Sequence, residues 1–318
     1  MAADRYPGST LADKRLVVVT GKGGVGKTTV CAASALGIAA RGKRVLVAMC
    51  NAKERLSTLF GVPPIGHPIT PVAERIWATN IQPDLAMQEY GELLFRSRTV
   101  SRAILDNPYV SGFLRAVPGM PEWAMLGKAW WHTTERLADG SFKYDVVMID
   151  APATGHGLDM LRVPSVILEA MPPGLLRRDA DLAWTLMKDP ASCAVVVVTL
   201  AEEMPVTETI ELTQSLGELG LPIAQIVVNA MLEPLFSKEE RTALEGAAPF
   251  EPRTLGEAAL AQARRRAAQE RLQGEHFERL TLAIALRPVV LPMLIEDVDN
   301  LPSVEKLARR LGAIDPAR

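Results

Sequence analysis

Cysteine is scarce in this chain: Cys31, Cys50 and Cys193 are its three, far apart and without a C-x-x-C pair. That spacing supplies no ligand set for a structural zinc or an iron–sulfur cluster, and no grouped thiols to take a metalloid. Each falls in or beside a predicted helix or strand, so the three read as reduced core residues of a cytosolic protein. An excess of one charge is missing too, with 35 basic against 37 acidic residues. This balance gives no general reason to expect nucleic acid or an anionic membrane surface as partner. No apolar run approaches the ~18 residues of a membrane span. The opening MAADRYPGST lacks the apolar stretch of a signal peptide, so a soluble, unexported, cytoplasmic protein is expected. Internal repeats and low-complexity segments are absent.

What is present is a large apolar fraction, 48% of 318 residues, ample for a sizeable core. Residues 1–12 read as a flexible lead-in and 13–318 as a single domain. Buried strands are predicted at about Arg15–Thr20, Arg44–Met49, Arg75–Ile81, Tyr144–Ile149, Cys193–Thr199, Ala224–Asn229 and Pro288–Met293. Helical runs separate them, among them Lys27–Arg41, which Gly42 stops, and a long one from about Leu255 to Leu286. Strand, helix, strand in succession argues an α/β fold with a doubly wound, mostly parallel sheet of about seven strands.

The chemistry is concentrated after the first strand. Gly21-Lys22-Gly23-Gly24-Val25-Gly26-Lys27-Thr28-Thr29 fits G-x-x-x-x-G-K-[ST], with a strand before it and a helix after it. Glycines let successive backbone N–H groups turn inward around a phosphate chain, and the helix N-terminus adds its positive end. Lys27 then takes the β- and γ-phosphates of ATP or ADP, and the Thr28 hydroxyl faces Mg²⁺. A second carboxylate-bearing strand, Tyr144 to Asp150, ends beside this loop. Asp150 is placed to organise the Mg²⁺ directly or through water, whereas Asp145 precedes the apolar run and reads as a strand-start residue. The Pro- and Gly-bearing segment Ala151–Leu158, with Gly155 and His156, is a candidate loop for sensing the γ-phosphate.

The extra lysine, Lys22, makes the loop resemble the deviant Walker A of dimeric ATPases that include partitioning, division-site-selection, nitrogenase-iron-protein and arsenite-pump families. Asp150 through Leu158 and on to Met160-Leu161-Arg162-Val163-Pro164 is similar to the D-x-x-x-T-G-H-x-L segment of the arsenite-pump ATPases and their relatives that target tail-anchored membrane proteins. Ala201–Thr209 and Val227-Val228-Asn229 match further. The likeness runs from about Leu16 to Leu311. It implies a homodimer, or a heterodimer with a related ATPase, in which Lys22 reaches the phosphates of the facing subunit. It also implies that Asn229 reads the adenine edge and that a loop from Pro292 to about Val298 closes over the base.

One departure bears on catalysis. The resembling proteins carry an aspartate after the second strand that positions the attacking water. Here the stretch reads Met49-Cys50-Asn51-Ala52-Lys53-Glu54, with Asn51 or Cys50 at that place. An amide orients water but accepts no proton, so slow hydrolysis is expected unless a carboxylate such as Glu54 substitutes.

The segments at about 83–137 and 160–188 are helix-like and hold six of the twelve methionines and four of the five tryptophans. Met87, Leu93, Leu94, Phe95, Phe113, Leu114, Trp123, Trp130, Trp131, Leu175, Leu182 and Trp184 are among their apolar residues. They form either the core of a helical subdomain or a groove for a hydrophobic helix client, the role that the resemblance implies. Pro172-Pro173-Gly174 reads as a turn inside it. Arg264-Arg265-Arg266 reads as a solvated helix face. The resulting expectation is a cytosolic dimeric ATPase acting on a hydrophobic protein client, with a hydrolytically weak regulatory subunit as the alternative.

Overall fold

Strand β1 (Leu16–Gly21) carries apolar side chains on both faces, as a strand covered by helices on both sides must. Val17 and Val19 enter one core while Leu16 and Val18 enter the other. The computed structural model describes residues 11–95, 119–246, 251–294, 296 and 298–311, and of Leu93–Phe95, Thr154 and His156 only the backbone. The expectations for Phe113, Leu114 and the first ten residues of the lead-in fall outside the described residues.

The remaining strands are β2 (Val45–Cys50), β3 (Thr70–Ala73), β4 (Ile76–Ile81), β5 (Val146–Asp150), β6 (Cys193–Leu200), β7 (Ile223–Met231) and β8 (Val289–Pro292). The described helices are α1 (Lys27–Ala40), α2 (Leu56–Phe60), α3 (Pro83–Phe95), α4 (Met120–Thr134), α5 (Thr154–Ala170) and α6 (Leu175–Lys188). They continue with α7 (Glu203–Glu218), α8 (Lys238–Gly246), α9 (Leu255–Ala283) and α10 (Leu301–Arg310).

The strands form one sheet in the order β3-β4-β2-β5-β1-β6-β7-β8, parallel except for the β3–β4 pair. The sheet has eight strands instead of the expected seven. The extra one, β3, is four residues long, contains Pro71, and turns into β4 through Arg75 at φ 59°. It lacks the apolar run by which a buried strand is recognised. With β1 central, β5, β2, β4 and β3 lie on one side of it and β6, β7 and β8 on the other. The loops leaving β1 and β5 therefore open side by side at the carboxyl edge, the usual ligand position in such sheets.

Helices α1, α2 and α10 cover one face of the sheet, and α4, α5, α7 and α9 contribute to the other core. A third cluster joins Met120, Trp123 and Trp130 of α4 with Val163 and Ile167 of α5 and Ala180 and Ala183 of α6. Pro172-Pro173-Gly174 makes the turn between α5 and α6. Arg15 locks β1 to this layer: its guanidinium donates to the carbonyls of Tyr144, Asp145 and Thr133 and lies 3.5 Å from the centre of the Phe142 ring. The arginine run on α9 departs from the solvated face read from the sequence. Arg264 donates to the Leu244 carbonyl and Arg266 to the Glu233 carbonyl, leaving Arg265 as the exposed one of the three.

Candidate functional site

The phosphate loop is shaped by three glycines that no other residue could replace without strain. A Cβ on Gly21 would sit 2.1 Å from the Val198 carbonyl oxygen of β6, and Gly24 and Gly26 adopt φ of 85° and 94°. Gly26 then caps α1 without any side-chain hydrogen bond, and the first turn of α1 holds no acidic residue. The first N–H groups of α1 thus point into the loop as an anion site. Gly23 and Gly24 are exposed, Val25 is buried, and Thr29 lies partly buried in the first turn.

Three charged groups converge on this loop. Lys27 Nζ donates to the Gly21 carbonyl at 3.0 Å and to the Lys22 carbonyl at 2.9 Å, folded back over the loop it closes. Burial lowers the Lys27 pKa, against an opposing pull from Asp150. The Thr28 hydroxyl donates to Asp150 Oδ2 at 2.6 Å. Burial raises the Asp150 pKa to about 6, with the Thr28 hydrogen bond and the Lys27 charge pulling it down. Lys22 Nζ stands 2.7 Å from Glu208 Oε1 on α7. A hydroxyl and a carboxylate side by side at the end of a phosphate loop are the hard oxygen donors that Mg²⁺ accepts, so the residues fit that ion.

The segment after Asp150 is mostly helix. Ala153 caps α5, the Gly157 N–H donates to the Ala153 carbonyl, and Gly155 lies exposed in the first turn. The expected loop therefore shrinks to Ala151–Ala153, and it approaches the phosphate loop where a Cβ on Gly23 would lie 3.5 Å from that of Ala153. The side chain of His156 lies outside the described residues.

Asn51 occupies the turn leaving β2 at φ 47°, a conformation that asparagine tolerates, and its N–H donates to the Ile81 carbonyl. Asn51 is exposed, whereas Cys50 is buried in β2 with its pKa pushed up to about 12 by burial, so the amide and not the thiol faces solvent. Glu54 is engaged elsewhere. Its carboxylate accepts from Ser57 N–H and Oγ at 2.6 Å each, capping α2, so the substitute carboxylate considered from the sequence is committed to structure. Asn80 carries no sequence signal, yet its amide clamps both the N–H and the carbonyl of Ala52. No motif marks that clamp, whereas Glu208 beside Lys22 lies in the matching segment Ala201–Thr209, whose pattern does not name its partner.

Asn229 reaches the loop from β7. Its Nδ2 donates to the Val25 carbonyl at 2.9 Å, and a Cβ on Gly26 would lie 2.3 Å from it. β7 continues two residues past Asn229, to Met231, which pairs with Pro292 of β8. Of the expected closing loop, Ile295 and Asp297 lie outside the described residues. Lys22, Lys27, Thr28, Asp150 and Asn229 are thus gathered round one loop, with Asn51 and Pro292 on neighbouring strand ends.

Comparison with known proteins gives the family. The family model described as anion-transporting ATPase matches residues 14–174 and 177–246, spanning the phosphate loop, Asp150 and Asn229. The chain belongs to the anion-transporting ATPase family. Relatives include ATPase BagA of Mycobacterium tuberculosis, 31% identical over 71% of this chain and 69% of that protein. An arsenical pump-driving ATPase of Escherichia coli is 29% identical over 72% of this chain. In that case the match covers 41% of the relative, less than half of its length. Within this member of the anion-transporting ATPase family, no described helix is long and apolar enough to cross a membrane.

Proposed function

We propose that the chain is a Mg²⁺-dependent ATPase that closes as a dimer on ATP and couples closure to capture and release of an apolar helix from a protein client. The observation that carries the ATPase reading is the Thr28–Asp150 contact of 2.6 Å at the mouth of an uncapped α1 N-terminus. Bound there, Mg²⁺ would neutralise charge on the transferring phosphoryl group. The chain's own residues do the rest. The α1 N–H groups and Lys27 bind and orient the phosphates, Asn229 faces the base, and Lys22 leaves Glu208 for the phosphates of the facing subunit.

The client reading rests on a cavity of about 950 Å³ between α3, α4 and α6. Trp131, Leu175 and Leu182 on its walls are 43%, 48% and 51% exposed, an apolar surface of the kind that takes an amphipathic or hydrophobic helix. A second reading follows from Asn51 and from the commitment of Glu54 to α2. Without a carboxylate beside the attacking water, the chain would serve as a regulatory subunit of a more active ATPase.

Light scattering with Mg-ATP and Mg-ADP, alongside phosphate release, decides between them. ATP-dependent dimerisation with turnover supports the first reading. A monomer that binds ATP without hydrolysing it removes that reading and favours the second.

A further inference from the structure

The backbone that follows Asn229 is held in a conformation it would not adopt alone. Ala230 has φ 52°, a left-handed value unusual for a residue other than glycine or asparagine. β7 ends at Met231, and the next residues to be regular again are those of α8, from Lys238. Strained backbone persists only where its surroundings over-determine it.

Here the surroundings are one face of α9. Gln273 Oε1 accepts from the Leu232 N–H at 2.8 Å, and its Nε2 donates to the Ala230 carbonyl at 3.3 Å. Glu270 Oε1 accepts from the Leu235 N–H at 3.0 Å, and Arg266 donates to the Glu233 carbonyl at 2.7 Å. Arg266 also donates to Glu270 Oε1 at 2.9 Å, which orients both side chains. Residues 266, 270 and 273 are spaced four and three apart, so they stand in one row along the helix. Four backbone groups of residues 230–235 are therefore held by three side chains of a helix distant in sequence.

We propose that this row positions the base-binding turn, and that Gln273 sets the preference of the site for adenine over guanine. The inference rests on the reading of Asn229 as the residue that faces the base. Adenine and guanine differ in the donor and acceptor at the six-membered-ring edge, so an amide discriminates between them only if its plane is fixed. Asn229 has one side fixed by the Val25 carbonyl. The other constraint is the turn directly after it, which Gln273 grips on both sides of Met231. The Met231 carbonyl in turn accepts from the N–H of Met293, so the same grip carries over to the residue after β8. Gln273 touches no nucleotide; it is a positioning residue.

The test is equilibrium binding of Mg-ATP, Mg-GTP and inorganic tripolyphosphate to full-length wild type, Gln273→Ala, Gln273→Glu and Asn229→Ala, with a melting curve for each. Wild type is expected to prefer ATP. Gln273→Ala should weaken ATP about tenfold, within the range by which residues without ligand contact alter binding through their neighbours, while GTP and tripolyphosphate stay within about twofold, so the preference collapses. Gln273→Glu keeps the acceptor for Leu232 and loses the donor for Ala230, and should fall between. A wild-type preference that survives in both Gln273 variants overturns the proposal and leaves the Asn229 reading intact. Equal losses for all three ligands overturn it as well, since they would report a damaged phosphate loop. Absence of any base preference in wild type removes the Asn229 reading itself, and the proposal with it.

Discussion

Lys22 Nζ lies 2.7 Å from Glu208 Oε1, so the second lysine of the phosphate loop is drawn toward α7 and away from the phosphate site that its own loop encloses. Lys27, by contrast, folds back over that loop. The two lysines of the loop therefore point different ways, Lys27 onto the loop carbonyls and Lys22 onto α7.

If Lys22 acts across a subunit interface, Lys22→Ala should lower ATP hydrolysis by about 10³ or more while leaving Mg-ATP affinity nearly unchanged. Mixing Lys22→Ala with a second inactive variant, Asp150→Asn, should restore turnover, because one mixed site then holds both an intact Asp150 and an intact Lys22. Phosphate release from the mixture is the measurement. A mixture as inactive as its parts would rule out action in trans.

Asn51→Asp should raise turnover by about 10² or more, since a carboxylate at the end of β2 can accept the proton that an amide cannot. The φ of 47° at this position is tolerated by aspartate as by asparagine, so the fold should be kept. Single-turnover phosphate release at saturating ATP checks this, and an unchanged rate would place the limiting step elsewhere.

Asp150 predicts two pH dependences of opposite sense. Its folded pKa is raised from 3.8 to about 6 by burial, so its contribution to stability is full below pH 3.8 and is lost as pH rises through about 6. Asp150→Asn should therefore stabilise the apoprotein at pH 7.5 by up to about 3 kcal/mol, a gain that fades below pH 4. Mg²⁺ requires the ionised carboxylate, so Mg²⁺-dependent tightening of ATP should grow between pH 5 and 7. Denaturant melts and nucleotide titrations across this range check the two slopes.

Arg15→Lys should destabilise the fold nearly as much as Arg15→Ala, by roughly 2–4 kcal/mol, because an ammonium cannot bridge three carbonyls and lie flat on Phe142 together. Burial lowers the Arg15 pKa to about 10, against the opposing charge of Asp145. Urea denaturation of both variants measures the difference.

How far the sequence reveals this molecule depends on the range of the interactions concerned. The phosphate loop and the Asp150 strand are local: G-x-x-x-x-G-K-T between strand and helix, and an apolar run closed by a carboxylate, can each be read within a dozen residues. The central parallel strands show as apolar runs for the same reason, being buried on both faces. β3 does not show, because a four-residue edge strand with a proline owes its pairing to β4 alone. Long-range polar contacts are equally silent. Glu54 looks like a possible base until Ser57 is seen to occupy it, and the arginines of α9 look solvated until Leu244 and Glu233 are seen beneath them. The commitment of a polar side chain is decided by a partner up to 204 residues away, as in the Asn229–Val25 hydrogen bond, and no local pattern encodes it.

The short strands that bound the sheet have a consequence for how copies of this chain can meet. β3 carries Pro71 and an irregular pairing between Pro71 and Ala73, and β8 is four residues ending in Pro292. A proline offers no N–H to an incoming strand, and a four-residue edge gives it little length to align on. Such margins disfavour ribbon-like growth of the sheet from one molecule into the next, including in partly unfolded chains, where exposed strand edges most often start aggregation.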